Sequence, residues 1–206
     1  MHSGFVFLDE IIPGLKQDAR YAAQDNFTGA KVDGYRAARV AGSLELARAL
    51  KGAQDAARER GLELMVWDAY RPQRAVDAFL RWAAAPEDGR TKARYYPNID
   101  RRDIVPMGYV APRSAHSRGG AVDLTLVCAG TGAQLDMDGG FDLMDARSGH
   151  GAPGIRAEAA RNRALLRRIM EQSGFCAYES EWWHYQLRDE PYPHIYFDFV
   201  IDTASD

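Results

Sequence analysis

The sequence predicts an α+β fold, a single domain over residues 1–206 with a central, mainly antiparallel sheet flanked by helices. Segments of helical spacing and segments of strand-like composition mix along the chain without the regular strand–helix–strand alternation of a doubly wound sheet. No internal repeat, low-complexity tract or Gly/Ser-rich linker separates two halves. The 206 residues, 46% apolar and 27% charged with a net charge of −3, have the balance of a soluble globular protein and can bury a substantial core.

The elements follow in order. Ser43 to Arg60 reads as an amphipathic helix: Ser43 suits the N-cap, Leu46, Leu50, Ala53 and Ala57 recur at helical spacing, and Gly61 stops it. Leu62 to Ala69 is a short apolar strand that runs into Tyr70-Arg71-Pro72. Pro72 suits the first turn of a second helix that turns Val76, Phe79, Leu80 and Ala83 inward. Ala85 to Ser114, polar and rich in proline, glycine and tyrosine, is mostly loop. Gly120 to Val127 is a strand, followed by a glycine-rich excursion from Ala129 to Pro153. A third helix spans Arg156 to Glu171, buries Ala159, Leu166, Ile169 and Met170, and stops near Gly174. Two strand-like runs close the chain, Trp183 to Leu187 and Ile195 to Ile201, joined by a turn with Pro191 and Pro193.

Composition excludes some classes of function. Without a broad basic surface, nucleic acid is not an expected partner. No window approaches the roughly 20 apolar residues of a membrane helix, so no membrane is expected either. The first residues, Met1 to Asp9, lack a basic segment followed by a long apolar one and do not read as a signal peptide. A cytoplasmic protein is the expectation, or a periplasmic one if a leader has been removed. Cys128 and Cys176 stand far apart and outside any C-x-x-C spacing, which predicts two buried or partly buried thiols rather than a disulfide.

Three local features carry chemistry. In Ser114-Ala115-His116-Ser117-Arg118-Gly119-Gly120-Ala121-Val122-Asp123, a histidine precedes a glycine turn and an aspartate lies on the strand leaving it, so imidazole and carboxylate can converge. In Glu181-Trp182-Trp183-His184, a histidine sits among tryptophans with a carboxylate three residues earlier. In Tyr70-Arg71-Pro72, an arginine stands between a strand and a helix, where a fixed guanidinium can stabilise a developing oxyanion. Taken singly, each has an ordinary alternative: a loop histidine with its bonds satisfied, a solvated glutamate, a structural ion pair. Together His116, Asp123 and His184 give three protein ligands and one open position, the pattern of catalytic rather than structural zinc. No H-E-x-x-H helix is present.

These features, in this order, resemble the zinc D,D-peptidases, whose signature reads S-x-H-x-x-G-x-A-x-D followed by E-x-W-H. Ser114, His116, Gly119, Ala121 and Asp123 match it, as do Glu181, Trp183 and His184. The likeness is closer to one branch, the D-alanyl-D-alanine dipeptidases of the vancomycin-resistance (VanX) type. It extends to Asp18-Ala19-Arg20-Tyr21-Ala22, Asp25-Asn26-Phe27-Thr28-Gly29, Ala69-Tyr70-Arg71-Pro72 and Phe141-Asp142, and so covers nearly the whole chain.

The resemblance implies one Zn2+ per chain on His116, Asp123 and His184. Glu181 would be the general base that activates the attacking water and hands its proton to the leaving amine, and Arg71 would stabilise the tetrahedral intermediate. Tyr21, Ser114 and Asp142 would surround a small dipeptide substrate, D-alanyl-D-alanine. Asp142 suits its ammonium, Ser114 suits its carboxylate, and Trp182 and Trp183 can wall a narrow cavity. The likeness departs ahead of Phe141-Asp142: the family carries Met-Gly-Thr there, and this chain carries Met137-Asp138-Gly139-Gly140, which implies an altered pocket wall. Two alternatives stay open. One is a carboxypeptidase of the same family acting on peptidoglycan stem peptides; the other is a zinc-binding recognition module without turnover, of the kind the hedgehog signalling domain resembles. Oligomeric state is left open, a homodimer included.

Overall fold

The computed structural model describes residues 2–203. In chain order its elements are β1 (Phe5–Phe7), α1 (Leu8–Ile11), β2 (Lys16–Gln17), β3 (Ala41–Ser43), α2 (Leu44–Arg58), β4 (Leu62–Asp68), α3 (Gln73–Ala84), α4 (Lys92–Tyr95), β5 (Ala121–Cys128), α5 (Ala157–Gln172), β6 (Phe175–Ala177) and β7 (His184–Leu187). Five strands form the central sheet in the order β2-β4-β5-β7-β6; only β2–β4 is parallel. A separate antiparallel pair joins β1 to β3. Helices and a mainly antiparallel sheet thus make an α+β fold, as the mixed pattern predicts.

The long helices form where the apolar spacing places them. Ser43 caps α2, its Oγ accepting the Leu46 N–H at 3.2 Å, and Leu46, Leu50, Ala53 and Ala57 are all buried. α2 and α5 pack on each other and on the sheet. Along β5 every residue from Ala121 to Val127 is buried, so both faces of this central strand are covered. Pro72 stands one residue before α3 as its N-cap, a position that requires no N–H.

The register positions the site. Asp68 at the end of β4 pairs with Asp123 on β5, after an irregularity between Val66 and Asp68, and Asp123 pairs with His184 on β7. Three polar residues therefore form one row across three strands, since directly opposed residues share a face of the sheet.

One expected strand is absent. Ile195 to Ile201 makes no ladder; only Ile201 forms an isolated bridge, to Tyr35. Its backbone bonds go elsewhere: the Phe197 N–H donates to the Ser117 carbonyl at 2.8 Å, and the Phe199 carbonyl accepts the Tyr70 hydroxyl at 3.0 Å. Phe197 and Phe199 pack around Phe5, and Phe199 stacks on Tyr70 with ring centroids 4.1 Å apart. Aromatic packing gives the segment its strand-like composition without strand pairing. Both cysteines are free, as expected, but Cys176 is exposed rather than buried.

Candidate active site

His116 lies in a 3-10 turn, Ala115–Arg118, whose N-cap is Ser114; the Ser114 Oγ accepts the His116 N–H at 3.2 Å. Gly119 ends the turn at φ +75°, and a Cβ there would run into the Phe5 ring, so the turn requires glycine twice over. The His116 Nδ1 lies 2.6 Å from the Ala69 carbonyl oxygen. A carbonyl can only accept, so Nδ1 carries the proton and the Nε2 lone pair points into the cluster. Burial pulls the His116 imidazole down to about 4, which keeps it neutral.

That Nε2 lies 3.0 Å from the His184 Nδ1 and 3.3 Å from the Asp123 Oδ2, and the His184 Nδ1 lies 3.0 Å from the Asp123 Oδ1. The three ligand atoms fall within 4.8 Å of one another. Burial disfavours charge on Asp123, but the imidazoles beside it outweigh this and hold its carboxyl below the usual range. For His184, burial acts downward and the hydrogen bond to Asp123 prevails upward. Two imidazole nitrogens and a carboxylate converging on one point, with one tautomer fixed by a backbone carbonyl, fit a divalent zinc-type ion.

These residues open into a cavity of about 290 Å³, close to the lower end of the ~300–1,000 Å³ common for small-ligand sites. Glu181, Arg71, Tyr21, Ser114, Asp142 and Trp183 line it, so the structure gathers the expected base, arginine and substrate-binding residues around the ligand cluster. Burial pushes the Glu181 carboxyl up to about 7, with His184 acting the other way. The Arg71 guanidinium is fixed from behind: its Nε donates to the Asp68 Oδ2 at 2.9 Å and one Nη to the Asp123 Oδ2 at 3.3 Å. The Arg71 guanidinium lies over the Tyr21 ring at 5.1 Å, and the Tyr21 hydroxyl donates to the Asp142 Oδ2 at 2.8 Å. Burial, reinforced by Asp123, raises the Asp142 carboxyl well above its ordinary value.

Asp142 stands at φ +61°, the left-handed region that a non-glycine residue rarely adopts. Its neighbour Phe141 stacks on Trp67 at 4.7 Å and meets Trp183 edge-on. Of the two tryptophans expected as walls, only Trp183 faces the cavity. Trp182 is buried behind it, edge-on to Trp67 and Trp183.

Two supporting groups are not among the site residues expected from the sequence, the Asp68 carboxyl and the Ala69 carbonyl. Asp68, buried and pushed up to about 7 by that burial, accepts from Arg71 and from the Tyr35 hydroxyl at 2.8 Å. The Ala69 carbonyl fixes His116. Asp68 stands three residues before Arg71, a spacing visible in the sequence; its place beside Asp123 depends on strand register, which is not.

The family Peptidase_M15, described as D-ala-D-ala dipeptidase, matches residues 1–202. The D-alanyl-D-alanine dipeptidase of Enterococcus faecium is 55% identical over 201 residues, 98% of this chain and 100% of its own length. That of Streptomyces coelicolor is 56% identical over 202 residues, again 98% and 100%. Among solved structures, VanYB in complex with D-alanine-D-alanine shares 18% identity at a TM-score of 0.43, over 72% of each chain.

Proposed function

Since this chain belongs to the Peptidase_M15 family of D-Ala-D-Ala dipeptidases and is a metallopeptidase, we propose that it hydrolyses free D-alanyl-D-alanine to two D-alanines. One zinc per chain would sit on His116, Asp123 and His184. Held by these three residues, zinc would supply Lewis acidity toward the scissile carbonyl and the attacking water.

The chain's own groups do the rest. Glu181, the carboxyl beside the ligand cluster whose burial favours its protonated form, takes a proton from water and returns it to the leaving amine. Arg71, held by Asp68 and Asp123, keeps its remaining N–H donors for the oxygen that gains charge. Asp142, steadied by Tyr21, receives the substrate ammonium. The Ser114 oxygen accepts from His116, which leaves its O–H to donate to the substrate carboxylate.

The observation that carries this reading is the cavity of about 290 Å³, which brings Glu181, Arg71 and the Asp142–Tyr21 pair around the His116–Asp123–His184 cluster. A space of that size with an acidic pole suits a zwitterion with both ends free. Among the described residues no helix is long and apolar enough to cross a membrane, and we place the activity in the cytoplasm, where such a small peptide would be met.

The test supplies purified protein with D-Ala-D-Ala or L-Ala-L-Ala and measures amino acid release. Two D-alanines per D-Ala-D-Ala, little release from the L,L isomer, loss on chelation and recovery with Zn2+ are expected. Zinc-loaded protein that releases no D-alanine would overturn the reading.

A further inference from the structure

α5 carries a charge in the middle of its buried stripe. Arg163 lies between Ala159 and Leu166 on the inward face and is 1% exposed. Its guanidinium donates to main-chain carbonyls only: Nε to Met137 at 2.7 Å, one Nη to Arg147 at 3.0 Å and Gly149 at 2.8 Å, the other to Asp138 at 3.3 Å. Burying a cation without a bonded carboxylate is costly, and an apolar side chain of similar size would fill such a stripe more cheaply. Burial accordingly pulls the Arg163 guanidinium down to about 10. A charge kept in that position calls for an explanation beyond packing.

The four carbonyls come in two groups, at 137–138 and at 147–149, and they bracket the loop that carries Asp142. Within the bracket, Asp142 holds its left-handed backbone at φ +61°. A strained backbone of this kind persists where the surroundings over-determine it. Here they do: the Ser148 hydroxyl donates to the Leu143 carbonyl at 2.6 Å, and the Met144 N–H donates to the Tyr95 carbonyl at 2.7 Å. The same loop is tied to the segment that carries Glu181, because the Trp182 main-chain N–H donates to the Ser148 carbonyl at 2.9 Å. The clasped segment includes the Met137-Asp138-Gly139-Gly140 run.

We propose that Arg163 is a positioning residue for recognition of the substrate ammonium: by tying both ends of the 139–146 loop to α5, it presents Asp142 to the cavity. It touches no substrate and acts through the loop. The proposal rests on the reading of Asp142 as the ammonium's partner. A planar guanidinium reaches four carbonyls from one point, whereas a lysine ammonium has three donors and no fork, so Arg163→Lys leaves the bracket partly open.

The experiment compares the zinc-loaded full chain with Arg163→Lys, Arg163→Met, Asp142→Asn and the Asp142→Asn/Arg163→Met double variant. It measures kcat and KM for D-Ala-D-Ala, zinc content and Tm. Asp142→Asn should raise KM roughly tenfold or more, the worth of one charge-assisted hydrogen bond. Arg163→Met should raise KM by a similar factor and Arg163→Lys by less, with kcat within about threefold and zinc retained, as expected when uniform binding is lost. Starting from Asp142→Asn, adding Arg163→Met should move KM by less than about twofold, because the two residues act through one contact.

A lower Tm with unchanged KM in both Arg163 variants, while Asp142→Asn raises KM, would make Arg163 structural only and overturn the proposal. An Arg163→Met effect that stays complete on top of Asp142→Asn would do the same, as would failure of both single Arg163 variants to fold. An Asp142→Asn protein with normal KM would instead remove the reading of Asp142 on which the proposal stands.

Discussion

His116, Asp123 and His184 stand on or beside the sheet, where ladder bonds set Asp123 opposite His184, whereas Asp142 stands on an irregular excursion between β5 and α5. The first region is fixed by register and by one tight turn with an obligatory glycine. The second is fixed side chain by side chain: Tyr21 on Asp142, Ser148 on Leu143, Arg163 on four carbonyls. Sheet geometry leaves little freedom for ligand atoms that must converge within 4.8 Å. A loop held by individual bonds can be reshaped at one residue without disturbing the sheet. In the proposed reading, the bond-breaking groups lie on the rigid side and a selecting group lies on the adjustable one.

Substitutions on the two sides should therefore differ in kind. The largest effect is expected from His116→Ala, which removes one of three ligands. Elemental analysis should find the zinc lost together with activity, because an opened site binds the ion weakly. Metal kept at one per chain would separate His116 from the proposed centre. Next is Glu181→Gln, which should keep fold and zinc while kcat falls by roughly 10²–10⁴, the range for loss of a general acid–base group. Steady-state kinetics beside zinc content decides it, and near-normal turnover with full zinc would take Glu181 out of the mechanism. Both variants change the chemical side, and neither should act mainly through KM as loop-side changes are expected to do.

The sequence reveals these two regions unequally. α2 is legible because a serine cap, apolar residues spaced three and four apart and a terminal glycine agree, and they meet the observed helix within two residues at its end. β1, β2, β3 and β6 span two or three residues each, too short for a period of two to stand out. Ile195 to Ile201 misleads because its aromatic residues serve ring packing rather than a ladder. At the site, His116, Asp123, Glu181 and His184 come as compact motifs, each next to a strand, and the structure brings them together. Asp68 is not legible as their neighbour: its contact with Arg71 is local, but its pairing with Asp123 comes after a strand irregularity between Val66 and Asp68. Arg163 leaves a faint trace, a charged residue in an apolar stripe from Ala159 to Met170. Only the folded excursion shows what that charge is bonded to.

In the proposed function the cavity takes a free dipeptide because Asp142 pairs with the substrate ammonium and Ser114 with its carboxylate. The most direct measurement is kcat/KM for D-Ala-D-Ala against a tripeptide ending in D-Ala-D-Ala, on the zinc-loaded chain. In the tripeptide the amine that would meet Asp142 is acylated, which leaves a buried carboxyl without its partner. Sites built around such a partner reject analogues lacking it by about 10⁴–10⁵, and a preference for the dipeptide on the order of 10³ or more is expected. Comparable kcat/KM values for the two peptides would contradict the account and favour a stem-peptide carboxypeptidase.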